Sequence, residues 1–135
     1  MLTNSAKQTI ISSLEQVFTA QLQGILLYGS RASGQSHDQS DYDLGILLKK
    51  PISATLLWET AQDLACLLQQ DVDLIDLRSA TTVLQKEATV GGVWLLKVDP
   101  YACDFFDTCV ISMYQELQEN RQDIIDHLMN GINHG

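Results

Sequence analysis

The stretch from Gly24 to Leu48 constrains the fold more than any other part of the chain. An apolar run, Gly24 to Tyr28, reads as a buried strand, and Gly29-Ser30 breaks it where a helix of one or two turns can begin. The ten residues Arg31 to Ser40 form a polar loop, expected to be mobile without ligand. A second strand then opens at Asp41 and Asp43, with its apolar residues running from Tyr42 to Leu48.

This arrangement suits a nucleoside triphosphate. Phosphates need backbone N–H donors that side chains do not crowd, and a glycine followed by a helix start offers such donors together with the positive end of the helix dipole. Gly29 allows close approach, Ser30 adds a hydroxyl, and the Arg31 guanidinium suits phosphate oxygens, although a solvated arginine at a helix start is the alternative. Residues two apart in a strand point to the same side, roughly 7 Å apart, so Asp41 and Asp43 face together while Tyr42 points away. Mg²⁺ prefers carboxylate and phosphate oxygens, and two carboxylates facing a triphosphate make a sufficient site.

Gly29-Ser30, ten residues, then Asp41-x-Asp43 followed by Leu44 resembles the signature of the DNA polymerase β-like nucleotidyltransferase superfamily. Gly-Ser turns and Asp-rich loops are each common as plain structure; their order, spacing and flanking strands make the pair specific. The small size points to the minimal nucleotidyltransferase (MNT) branch, whose members act as antitoxins beside HEPN-domain toxins. The resemblance spans Gly24 to Val93. It implies an α/β fold with a small mixed sheet, flanking helices and a long C-terminal helix. It also implies ATP as substrate, Mg²⁺ as cofactor, and transfer of AMP to a tyrosine hydroxyl of a partner HEPN ribonuclease. In the family a third acid lies on the strand after the long helix, in a pattern resembling Val72-Asp73-Leu74-Ile75, which selects Asp73. Catalytic and metal-binding roles are therefore expected at Asp41, Asp43 and Asp73, and nucleotide contacts at Gly29, Ser30 and Arg31. Two other readings stay open: an antitoxin that acts by binding alone, and a nucleotidyltransferase that modifies a cationic antibiotic.

Length and charge narrow the setting. With 135 residues and 45% apolar content, the chain is expected to form one domain around a single core. A net charge of −9 with no basic run argues against binding nucleic acid through its phosphates. Cys66, Cys103 and Cys109 are odd in number and lack CxxC spacing, so they read as buried thiols in a reducing compartment. The N-terminus lacks a signal-peptide pattern and no apolar run approaches the ~20 residues of a membrane span, so a cytoplasmic location is expected.

The remaining elements follow from period and capping. Ile10, Ile11, Leu14, Val17 and Phe18 share one face of a helix from about Ser5 to Ala20, with Asn4 or Ser5 as its cap. Ser53 caps a helix striped by Leu57, Ala61, Leu64, Ala65 and Leu68, with Trp58 beside the stripe as core or partner contact. On the strand Asp71 to Leu77, Asp71 and Asp73 share a face and Asp76 falls on the other, as a solvated or salt-bridged acid. Ser79 is expected to cap a short helix through Ala88, with Gly91-Gly92 turning into the strand Val93–Val98. Asp99-Pro100 starts a helix in which Phe106, Val110, Met113, Leu117, Ile124 and Leu128 keep register to Asn130-Gly131. Its far end exceeds what a small sheet covers and is either a partner surface or an ordinary cap. His37, His127 and His134 read as incidental.

Overall fold

The computed structural model describes residues 2–34 and 41–133, and side chains as far as Asn130. Four strands, β1 (Leu22–Tyr28), β2 (Tyr42–Leu48), β3 (Val72–Asp76) and β4 (Val93–Lys97), form one sheet in the order β3-β2-β1-β4. β1 runs antiparallel to both β2 and β4, whereas β2 and β3 are parallel. Parallel neighbours need a long crossover, and helix α3 (Ala54–Leu68) supplies it. The sheet is mixed, as the resemblance implies.

The alternation of β2 divides the interior. Tyr42, Leu44, Ile46 and Leu48 join Ile25 and Leu27 of β1 in a cluster covered by Ile10, Leu14 and Phe18 of helix α1 (Asn4–Phe18) and by Ala61 and Leu64 of α3. Leu47 and, from β1, Leu26 and Tyr28 lie on the opposite face. Helix α4 (Thr82–Gly91) packs there through Ala88, and helix α5 (Pro100–Asn133) through Cys103, Phe106 and Val110.

The caps follow local chemistry. Ser53 Oγ accepts from Leu56 N–H at 3.1 Å and Asp99 Oδ1 from Ala102 N–H at 3.1 Å, with Pro100 opening α5. Thr3, one residue before the expected Asn4, caps α1 by accepting from Ala6 N–H at 3.1 Å. At the fourth helix Thr81 takes the cap in place of Ser79. The Ser79 hydroxyl donates instead to Asp76 Oδ2 at 3.1 Å, so Asp76 is a buried, hydrogen-bonded acid rather than a solvated one. Gly91, expected in a turn, is the last residue of α4.

Other surface expectations change as well. Trp58 is 65% exposed and is no part of the core, because the buried face of α3 turns toward Thr60, whose hydroxyl bonds Leu56 O at 2.7 Å. Cys103 is buried, but Cys66 is exposed on the outer side of α3 and Cys109 lies between. Along α5, Phe106 and Val110 are buried, whereas Met113, Leu117, Ile124 and Leu128 are exposed. At 1.5 Å per residue the 34-residue helix is about 51 Å long, which carries its distal half past the sheet. Of the polar loop, Ser30–Ser33 is helix α2, and the expectations for the rest, including His37, fall outside the described residues, as does that for His134. No described helix is long and apolar enough to cross a membrane.

Candidate active site

Three strands place one side chain each in a row. Tyr28, the last residue of β1, pairs with Asp43 across the antiparallel ladder, and Asp43 pairs with Asp73 across the parallel one. Directly paired residues point to the same face of a sheet, on strands roughly 5 Å apart. The three side chains therefore line up toward α4, where they form the floor of a cleft of about 620 Å³. Gly29, Ser30 and Ser33 make one wall, and Leu84, Glu87 and Gly91 of α4 make the other.

The turn above the floor depends on glycine. Gly29 has φ +72° and ψ −153°, a conformation closed in practice to residues with a Cβ, and an added Cβ would run into the Asp43 carboxylate. From this turn the chain enters the single turn of α2, where Ala32 and Ser33 donate to Gly29 O at 3.2 Å each. At Ser30, its first residue, the main-chain N–H has no acceptor within the helix. Gly34, at φ +79°, ends it in the left-handed conformation.

Among the described residues, every charged side chain that lines the cleft is acidic. Burial, then the charge of Asp73, then that of Asp41 push the Asp43 carboxyl above its ordinary range. Burial first, followed by Asp73, Asp43 and Glu87, makes the Tyr28 hydroxyl harder to ionise than a free tyrosine. That hydroxyl is buried and, among the described residues, has no hydrogen-bond partner. The donor set consists of hard oxygens whose mutual repulsion a small divalent cation would relieve, so these residues fit Mg²⁺.

The structure brings together only part of the expected set. Gly29, Ser30, Asp43 and Asp73 line one cleft. Asp41, just ahead of β2, lines a second hollow of about 430 Å³ with Gln69, Gln70 and Asp71, although its charge still reaches Asp43. Among the described residues no three His, Cys, Asp or Glu side chains converge closely enough to hold a metal ion. Arg31 is buried with its guanidinium 3.9 Å from the centre of the Tyr42 ring, and Tyr42 faces away from Asp43, so the structure sets Arg31 on the α1/α3 side of the sheet. Sequence reasoning missed Tyr28 and the α4 wall. Tyr28 was signalled by its place directly before Gly29, and Leu84, Glu87 and Gly91 by a spacing of three and four that puts them on one helical face.

Known proteins share this fold. Residues 8–101 match the polymerase β nucleotidyltransferase family. The chain belongs to that family, in its minimal branch. The protein adenylyltransferase MntA of Shewanella oneidensis is 44% identical over 110 residues, which cover 80% of this chain and 77% of MntA. A toxin–antitoxin crystal structure with AMP-PNP contains a chain that superposes with a TM-score of 0.80 at 41% identity, covering 91% of this chain and 98% of its own. A complex of the tri-AMPylated Shewanella oneidensis HEPN toxin with its MNT antitoxin gives a TM-score of 0.78 at 37% identity, covering 95% and 99%.

Proposed function

We propose that this chain is the antitoxin of a toxin–antitoxin pair and acts by transferring AMP from ATP to a tyrosine hydroxyl of a HEPN ribonuclease toxin, which it thereby neutralises. The observation that carries the reading is the shared cleft in which the Gly29-Ser30 turn stands directly over the paired Asp43 and Asp73. The similarity to MntA and to antitoxin chains solved with AMP-PNP and with an AMPylated toxin supports it. Binding alone would leave those carboxylates without a purpose.

Each residue has a part. Gly29 lets the triphosphate approach the main chain, and Ser30 offers its N–H and hydroxyl to the phosphates. Asp43 and Asp73, with Asp41, whose charge reaches Asp43 from the neighbouring hollow, would hold Mg²⁺, which when bound supplies charge neutralisation at the phosphates. The acceptor oxygen forms a bond to the α-phosphorus as the bond from that phosphorus to the bridging oxygen breaks and pyrophosphate departs. The acceptor hydroxyl gives up its proton to solvent, which reaches the cleft on the exposed Asp73 side. Arg31 braces the start of β2 through Tyr42. The far end of α5, where Ile124, Ile125, Leu128 and Met129 stand exposed among polar residues, is where the toxin docks. A cytoplasmic location accords with three free cysteines.

The test is to incubate the protein with ATP, Mg²⁺ and purified HEPN partner and to follow intact toxin mass and ribonuclease activity. One or more added AMP groups with loss of ribonuclease activity is expected. Neutralisation that survives in an Asp41→Asn/Asp43→Asn variant would overturn the catalytic reading.

A further inference from the structure

Tyr28 is 7% exposed, and its ring packs with Leu26, Leu47 and Phe106. Its hydroxyl is closed to solvent and, among the described residues, has no hydrogen-bond partner. An unsatisfied buried hydroxyl destabilises a fold, and phenylalanine would fill the same space without that penalty. The hydroxyl therefore has a use that packing does not explain. The charges that bear on it come from Asp73, then Asp43, then Glu87, all of them acceptors only when ionised. A phosphate entering the cleft cannot reach an atom that solvent does not reach, whereas a carboxylate of the floor can turn to meet it.

We propose that Tyr28 is a positioning residue whose hydroxyl donates a hydrogen bond to the Asp73 carboxylate when a divalent cation draws Asp43 and Asp73 together, fixing the orientation of Asp73 toward the ion. The inference rests on the reading of the cleft as a nucleotidyl-transfer site. Without a cation the paired carboxylates of β2 and β3 repel each other, and Asp73, on the edge strand, is the one free to swing outward. With their charge balanced by a cation, an inward-turned Asp73 would accept from the Tyr28 hydroxyl and still be available to hold the ion. Partners that hold metal-binding side chains in this way change metal affinity by about 10- to 100-fold.

The experiment compares wild type with Tyr28→Phe, using Mn²⁺ as the probe. Mn²⁺ binding in the presence of AMP-PNP is measured by calorimetry, folding by melting temperature, and the Mg²⁺ dependence of AMP transfer by kinetics. The expected result is a variant that melts no lower than wild type, binds Mn²⁺ at least ~10-fold more weakly, and needs proportionately more Mg²⁺ to reach an almost unchanged kcat. Unchanged Mn²⁺ affinity overturns the proposal, as does a fall in kcat at saturating Mg²⁺ with cation affinity intact, or a wild type that binds no Mn²⁺. If Tyr28→Phe weakens Mn²⁺ binding but the wild type adenylylates no HEPN partner, the positioning role stands and the transfer reading fails.

Discussion

On the α1/α3 side of the sheet, β2 presents Tyr42, Leu44, Ile46 and Leu48 in unbroken succession, every one buried. On the α4/α5 side the same strand presents Leu47, Gly45 and Asp43, and apolar packing gives way to a charged cleft within those three residues. The first face is closed by two 15-residue helices, and the second by the 10-residue α4 and only the first part of α5. The difference follows from the period of a strand: one face can be given wholly to burial while its neighbour, one residue out of step, carries groups that burial would penalise. The packed face bears the cost of the unpacked one.

The largest stability effect belongs to the packed face. Leu44→Ala removes a fully buried side chain between α1 and α3 and is expected to cost about 2–5 kcal/mol, read from denaturant unfolding. A loss under about 1 kcal/mol would mean that this face is not the load-carrying layer.

Asp43→Asn should do the reverse. Transfer of AMP is expected to fall by about 10²- to 10³-fold, by analogy with removing one electrostatic stabiliser of a transition state, while the cation-free protein melts higher. The sign follows from the raised carboxyl. Asp43 in the folded chain holds its proton above its ordinary value of 3.8, so the fold gains stability as pH falls through the folded value toward the unfolded one, and loses it as pH rises. The amide removes that penalty at neutral pH. A variant that melts lower than wild type without cation would show that Asp43 supports the fold rather than straining it.

How much of this was visible beforehand depended on how local the cause was. β1, β2 and α3 were legible because their apolar periods and the Ser53 cap lie within each segment. The fourth helix start was misread because Ser79 and Thr81 are equally good caps, and the choice is made by Asp76, which takes the Ser79 hydroxyl. Of the site, the Gly29-Ser30 turn and the Asp43/Asp73 pair were legible, the latter because α3 returns β3 parallel to β2 in a register that sets the two acids opposite each other. The α4 wall was not, since nothing in Leu84 or Glu87 says which strand they will face. The place of Arg31 against Tyr42 is not legible in the sequence, because a long side chain beside a phosphate turn suits an anion and an aromatic ring alike.

That ambiguity sets the next effect. Arg31→Met keeps the apolar stem and removes the guanidinium from the Tyr42 ring, with an expected loss of about 0.5–2 kcal/mol in stability. The KM for ATP should change little, because Arg31 lies on the packed face. Unchanged stability with a several-fold rise in KM would return Arg31 to the phosphates.

The smallest effect on the fold is expected farthest from both faces. Ile124 and Leu128 lie one turn apart on the distal half of α5, exposed and beyond the sheet. Replacing both by glutamine keeps good helix formers in place and removes no packed contact, so stability should stay within about 0.5 kcal/mol of wild type. If the toxin docks on this stripe, its affinity should drop, since removing apolar surface from water drives association. Calorimetric titration with the HEPN partner reads that affinity, and circular dichroism melting reads the fold. An unaltered affinity would move the docking surface back toward the cleft, where acceptor and site must meet in any case.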